Sequence, residues 1–218
     1  MGPCLVPSFE EYRPDAHGTP DPRIAVRAAT PGDVAGMAAV ARLRGPQPAT
    51  LDALIAGWVS DDERRLVVAL RREASGGGCD VSGGGGGVPD DEGSGGVPDD
   101  EGGTADGAQC RASGGGVVVG WGMANRRTGH ADAPDGYYIG WLVVHPDCRR
   151  RGIAGRIVTD LAAWTSGRAD RLYSVVNLRN RVSLDLHARH GFRELARAAQ
   201  FAGIPFDGGV GLLLAAEV

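Results

Sequence analysis

The chain has 218 residues, a formal charge of −4 and no lysine, so its strongly basic side chains are all arginine. That length sustains one domain with its own core. The missing lysine excludes a P-loop nucleotide site, which needs a Gly-Lys-Ser/Thr end. No apolar run approaches the roughly 18 residues of a membrane helix. No charged segment followed by an apolar core opens the chain. Cys4, Cys79, Cys110 and Cys148 show neither a C-x-x-C pair nor metal-ligand spacing. The expectation is a cytoplasmic protein with free thiols and no metal, binding neither membrane nor nucleic acid.

Residues 1–22 are rich in proline and polar residues without periodicity and read as a loose tail, in which Phe9 and Tyr12 are the apolar anchors available. Residues 23–218 form the domain. Arg23–Ala28 alternates as a short strand. Thr30 is an N-cap with Pro31 at the first helical position, and Val34, Met37, Ala38 and Ala41 make the inner face of the helix that follows. After the Gly45-Pro46-Gln47-Pro48 break, Leu51, Leu54, Ile55 and Trp58 recur at helical spacing between Thr50 and Ser60. Leu66–Leu70 and Val117–Met123 are strands.

Between those strands, residues 75–116 contain glycine runs and a tandem nonapeptide, Gly86 to Ser94 and Gly95 to Gly103, built around Val-Pro-Asp-Asp-Glu. The segment has too little apolar area to offset chain entropy and is expected to be disordered. Its prolines and the missing glutamate anchor do not fit an EF-hand calcium loop. It carries a charge of −7, which leaves +3 on the remainder: the folded part is mildly basic, as suits a polyanionic ligand.

Gly136 to Gly155 reads as strand, turn and helix. Tyr137–Val144 is a run for a buried strand, and His145-Pro146-Asp147 ends it because proline cannot donate to a ladder. Arg149, Arg150 and Arg151 lead into Gly152, Ile153, Ala154 and Gly155, and then into an apolar helical stripe of Ile153, Ile157, Val158, Leu161 and Trp164. The N–H groups at a helix start have no partner inside the helix, and the helix dipole adds positive charge there. Small residues let a ligand approach the backbone, so the pattern is a phosphate cradle among arginines. Arg171–Val176 is the next strand and Arg181–His190 a helix stopped by Gly191. Phe192–Gln200 and Val210–Ala216 close the sheet around a turn at Phe206–Gly209.

The run Val144-x-Pro146-x-x-Arg149-Arg150-Arg151-Gly152-Ile153-Ala154 resembles the acetyl-CoA signature of the GCN5-related N-acetyltransferases (GNAT), Arg/Gln-x-x-Gly-x-Gly/Ala. A second piece of the resemblance is Asn180-x-x-Ser183-x-x-x-His187-x-x-x-Gly191-Phe192. Together they span about Arg23 to Leu195 apart from the insertion. The resemblance implies an α+β (α/β) domain with a mixed, twisted six- to seven-stranded sheet flanked by helices and a central strand–pyrophosphate loop–helix unit. It implies acetyl-CoA as co-substrate, held by Leu142, Val143, Val144, Arg149, Arg150, Arg151, Gly152, Ile153, Ala154, Gly155 and Asn180. A backbone N–H near Val143 or Val144 would receive the developing oxyanion.

Asn180 would bond the pantetheine arm, cap the helix at Arg181, or do both. His187 stands where the family has a tyrosine acid that protonates the leaving thiolate; a surface histidine is the plainer reading. His190, before the helix stop, reads as a partner of the helix dipole. The family's glutamate base would fall at Tyr138 or, in other relatives, at Val175, neither a ready base. Water, Asp135, His130 or an already neutral amine remain open. Cys148 beside three arginines is a conceivable nucleophile, but the family transfers directly. Trp58 is either core or an acceptor contact.

The expected activity is acetyl transfer to a primary amine, of a small molecule first, of a protein N-terminus or lysine second. A CoA-binding module without catalysis is the rival from another class. A homodimer is left open.

Overall fold

The computed structural model describes residue 12 and residues 19–72, 111–112, 116–206 and 208–218. The acidic repeat and most of the N-terminal tail lie outside the described residues. The elements follow in the order β1 (Ile24–Ala28), α1 (Val34–Arg42), α2 (Leu51–Val59), β2 (Arg64–Arg72), β3 (Arg111–Ala112), β4 (Gly116–Arg127), β5 (Gly136–Val144), α3 (Ile153–Ser166), β6 (Arg171–Asn177), α4 (Arg181–Arg189), β7 (Arg193–Ala198), β8 (Gln200–Phe201), β9 (Ile204–Pro205) and β10 (Gly211–Glu217). Along the sheet the order is β1-β2-β4-β5-β6-β10-β7, seven strands, with the short β3 paired to β4. Every neighbouring pair is antiparallel except β5 and β6, which the crossover through α3 makes parallel. This is the mixed sheet flanked by helices that the sequence implies. β3 lies inside the stretch expected to lack structure.

The two faces of the sheet are separate cores. On one, Ile153, Ile157, Val158 and Leu161 of α3 meet Val67, Ala69, Val119, Ile139, Leu172 and Leu212. The spacing of the α3 residues is the apolar stripe seen in the sequence, and each such side chain contributes about 1.5–3 kcal/mol by leaving water. On the other face α1 and α2 cover Leu66, Val68, Val118, Trp121, Met123 and Val143. Ala38 and Ala41 of α1 are fully buried there, and the closeness of helix to sheet lets the Trp121 indole N–H donate to the Met37 carbonyl (2.9 Å). Further along this face, Tyr138, Tyr173, Leu213 and Ala215 are covered by Phe201 and Phe206 at the β8–β9 hairpin.

The start of the first helical region rests on one buried carboxylate. Asp33, with no exposed side-chain surface, receives two bonds from Arg27 (2.7 and 2.9 Å), one from the Thr30 backbone N–H (2.7 Å) and one from its hydroxyl (2.8 Å). Burial alone would raise its pKa; the Arg27 guanidinium and the Thr30 bonds outweigh that and hold it below the usual carboxylate range.

β5 is irregular at its centre. Met123 pairs with Trp141 and Ala124 with Ile139, so Gly140 is an extra, bulged residue. The bulge coincides with the end of the parallel ladder, whose pairs are Tyr137 with Leu172, Tyr138 with Tyr173 and Ile139 with Ser174. Beyond them β5 continues to Val144 and β6 to Asn177 without pairing, and the two strands part.

Candidate active site

The parting of β5 and β6 opens a slot with a polar backbone edge on each side. His145 N–H donates to the Val119 carbonyl (2.8 Å), and the Trp141 and Val143 carbonyls also lie toward β4. Alternation along a strand therefore turns the N–H groups of Leu142 and Val144 toward the slot. Of the two residues named for an oxyanion donor, Val144 faces the slot and Val143 faces the sheet; Leu142 is the other amide that does. The β6 side of the slot ends at Asn177, and Asn180 begins α4 beside it. The Asn180 side-chain oxygen accepts from Ser183 N–H (3.1 Å), so the capping role is present, and the cap does not use the carboxamide N–H₂.

At the far end of β5, a 3₁₀ turn at Pro146–Cys148 leads into the arginine run. Arg150 (φ 60°) and Gly152 (φ 71°) are left-handed, a conformation that only glycine adopts without cost. Gly152 is the N-cap residue of α3 and supplies no side-chain cap; the first main-chain bond of the helix runs from Arg156 N–H to the Gly152 carbonyl (3.1 Å). The amides of Ile153, Ala154 and Gly155 precede that bond and have no partner within the helix. Among the described residues a Cβ on Gly152 would meet only Pro20, at 3.9 Å, so these leave the cradle open.

The other small residue has a different task. A Cβ on Gly155 would come 3.0 Å from His190 Nε2, so Gly155 is where the end of α4 packs on the start of α3. His190 is thus a packing neighbour, and burial lowers its pKa.

The three arginines differ. Arg151 donates to Asp21 (2.8 Å), a buried carboxylate that Arg23 also clamps with two side-chain bonds (3.0 and 2.9 Å). These bonds from Arg23, with Arg151 adding to them, hold Asp21 far below the usual carboxylate range. The segment before β1 therefore lies on the cradle, a contact that sequence reading missed because the tail has no periodicity. Arg149 lies close enough to Arg44, after α1, for the two cations to repel, and burial together with that repulsion lowers the Arg44 pKa.

Two expected catalytic groups are core residues. Tyr138 is fully buried, donates its phenol to the Pro134 carbonyl (2.6 Å) and stacks on Tyr173 at 5.1 Å. Burial pushes its pKa up to about 12, so it remains a neutral phenol and accepts no proton near pH 7. His187 is 2% exposed and lies edge-on to Phe192 at 4.9 Å. Its Nδ1 is 2.7 Å from the Ser183 carbonyl. A carbonyl only accepts, so the proton is on Nδ1 and Nε2 is a bare acceptor, buried without a partner. Burial lowers the His187 pKa. A proton donor acting through Nε2 would need the imidazolium, which this environment disfavours. Cys148 is likewise buried, with Arg71 donating to its sulfur at 3.6 Å; it has no surface for a covalent step. Asp135 caps the β4–β5 turn through Gly129 N–H (2.8 Å) and lines a cavity of about 390 Å³ beside Asp170, Arg171 and Glu217, near the start of β6 and away from the cradle.

The opposite face of the slot is lined by aromatic and polar groups. Trp141 stacks on Trp121 (5.2 Å) and lies 6.3 Å from Trp58. Trp58, either core or acceptor contact from sequence, is half-buried at the edge of the α1–α2 core. Asn125 and Arg127, on the polar end of β4 that the apolar pattern does not reveal, continue this face. Among the described residues no helix is long and apolar enough to cross a membrane, and no group of three or more His, Cys, Asp or Glu side chains could hold a metal.

Residues 97–192 match the model of the acetyltransferase (GNAT) family. No curated protein sequence matches the chain. Among solved structures, NAA60 of Arabidopsis thaliana with a bisubstrate analogue superposes with a TM-score of 0.58 at 16% identity, over 89% of this chain and 97% of that one. The NatC complex bound to Gag peptide and CoA gives 0.55 at 13%, over 90% and 99%. A protein described as a phosphinothricin N-acetyltransferase gives 0.54 at 15%, over 89% and 98%. The chain thus contains a stretch that matches the acetyltransferase (GNAT) family model and shares the fold of these solved structures.

Proposed function

We propose that the chain transfers acetyl directly from acetyl-CoA to a primary amine of a small molecule. The observation that carries this is the parting of β5 from β6 at Gly140, which runs from an open helix-start cradle to a second, aromatic face of the sheet. Ile153, Ala154 and Gly155 amides with Arg149 and Arg150 would hold the pyrophosphate. The Leu142 or Val144 N–H would receive the charge that develops on the thioester oxygen as the amine attacks. The amine nitrogen forms the new bond to the carbonyl carbon, the C–S bond breaks, and the thiolate leaves. With Tyr138 and His187 held neutral in the core, the amine arrives deprotonated and its proton and that of the thiol exchange with water. NatC, described with a bound peptide, supports a peptide acceptor as the second reading, and the protein described as a phosphinothricin N-acetyltransferase supports a small one.

The test is release of free CoA thiol over a panel of small amines and of peptides with free N-termini. Turnover of small amines at rates at least tenfold above every peptide is expected. Peptide turnover that matches or exceeds it would replace the small-molecule reading with the protein one.

A further inference from the structure

On β4, Trp121, Met123, Asn125 and Arg127 alternate onto the face covered by α1 and α2. Across the ladders, Asn125 is opposite Arg64 of β2 and Tyr138 of β5. Two polar atoms in this row are buried without a hydrogen bond: Asn125 Oδ1 and Arg127 Nε.

Among the described residues Arg127 reaches only the Ala202 carbonyl through Nη1 (3.4 Å), and it lies over the Tyr138 ring at 6.0 Å. Among the described residues no carboxylate pairs with it. Tyr138 cannot serve, since its phenol stays protonated. The neighbouring carboxylates are engaged elsewhere: Asp132 with Ala202 N–H (3.0 Å), Asp135 with Gly129 N–H, and Asp61 with Arg64 (2.6 Å). A half-buried guanidinium without a counter-ion is costly unless an anion completes it, and a guanidinium fits a carboxylate with two parallel bonds.

Asn125 is 8% exposed, and its Nδ2 donates to the Arg126 carbonyl (3.3 Å). A Cβ on Gly140 would lie 2.8 Å from Asn125 Oδ1, while Gly140 itself is exposed at the mouth of the slot. The orphan oxygen thus borders the place where the acetyl group would arrive, and it accepts but cannot donate. Trp58 and Trp141, both partly exposed, flank the row with apolar surface.

We propose that the acceptor is an amino acid with an apolar side chain, its carboxylate received by Arg127, its amine N–H by Asn125 Oδ1, and its side chain by Trp58 and Trp141. This rests on the acetyl-transfer reading above and narrows its substrate class.

The test uses matched ligands that differ by one carboxylate: phenylalanine with phenethylamine, and leucine with 3-methylbutylamine. Equilibrium binding to the full chain in the presence of CoA and acetyl transfer are both measured. The amino acid is expected to bind at least tenfold more tightly than its partner amine. Arg127→Gln should bring that ratio to about one, and Arg127→Lys should leave an intermediate ratio, since charge without the fork retains part of the attraction. Asn125→Leu should weaken both members of each pair. Equal binding of acid and amine by the wild-type chain overturns the proposal, as does an Arg127→Gln variant that keeps the tenfold ratio. Carboxylate-dependent binding without acetyl transfer would sink the acetyl-transfer reading and leave this site standing. Transfer to the amines without carboxylate discrimination would do the reverse.

Discussion

His187 shows how one residue can be legible in position and opaque in state. Its spacing from Asn180 is readable, but whether its ring is wet or buried depends on Phe192, which folds back over it. A histidine whose folded pKa is depressed costs stability when the unfolded chain takes up a proton that the native state does not. The sign is therefore a loss as pH falls below the ordinary value of 6.5, levelling at the lower folded pKa. His187→Gln should flatten that part of the urea-denaturation profile while kcat stays within a few-fold of wild type. A hundredfold fall in kcat, with an alkaline limb abolished, would restore the acid role. Asp33 titrates in a separate window. Its folded pKa is depressed, so its stabilisation is full above the ordinary value of 3.8 and is lost as pH falls through the folded value. Asp33→Asn should cost about 3 kcal/mol at pH 7, the low end for a broken buried pair because Arg27 is a third exposed, and should weaken the acid dependence. Denaturation curves at pH 3 and pH 7 check this.

The elements were mostly legible because their periods are clean. The α3 stripe and the β5 run predict their bounds to within two residues, and Thr30-Pro31 marks the start of the first helical region. β4 is longer than the apolar pattern because Asn125, Arg126 and Arg127 are polar, yet they remain in the ladder, Asn125 opposite Arg64 and Tyr138, Arg126 opposite Tyr137 and Arg127 opposite Gly136. The face proposed to select the acceptor lies in those polar residues. The β8–β9 hairpin is too short to have a period. The bulge at Gly140 was also invisible, since a lone glycine in a strand signals either a bulge or a close approach. At the cradle, Gly152 should tolerate no side chain without loss. Alanine there incurs about 1–2 kcal/mol of left-handed strain, and valine adds bulk above the open amides. Acetyl-CoA affinity by calorimetry should fall in the order Gly, Ala, Val with the fold retained. Equal affinity for all three would remove the cradle from the binding site.

For the whole molecule, the β2–β4 ladder decides what the long insertion costs. Arg72 lies directly opposite Gly116, so β2 ends where β4 begins, and the short β3 is the described part of the insertion that returns to the sheet. Joining Arg72 to Gly116 through Asn-Gly, a hairpin turn that suits the strand twist, should keep acetyl transfer and raise stability by about 2 kcal/mol through a shorter closure. Loss of folding would show the segment to be a structural part. The tie between Asp21 and Arg151 has a consequence of another kind. It cancels one positive charge at the cradle mouth before any phosphate arrives, so the loop presents less charge to a polyanion than its three arginines suggest. Asp21→Asn releases that charge. Acetyl-CoA should then bind several-fold more tightly in dilute buffer, and the gain should shrink as added salt shortens the Debye length from about 30 Å at 0.01 M to about 8 Å at 0.15 M. The N-terminal segment would then be a built-in counter-ion, fixing how steeply cofactor capture depends on ionic strength.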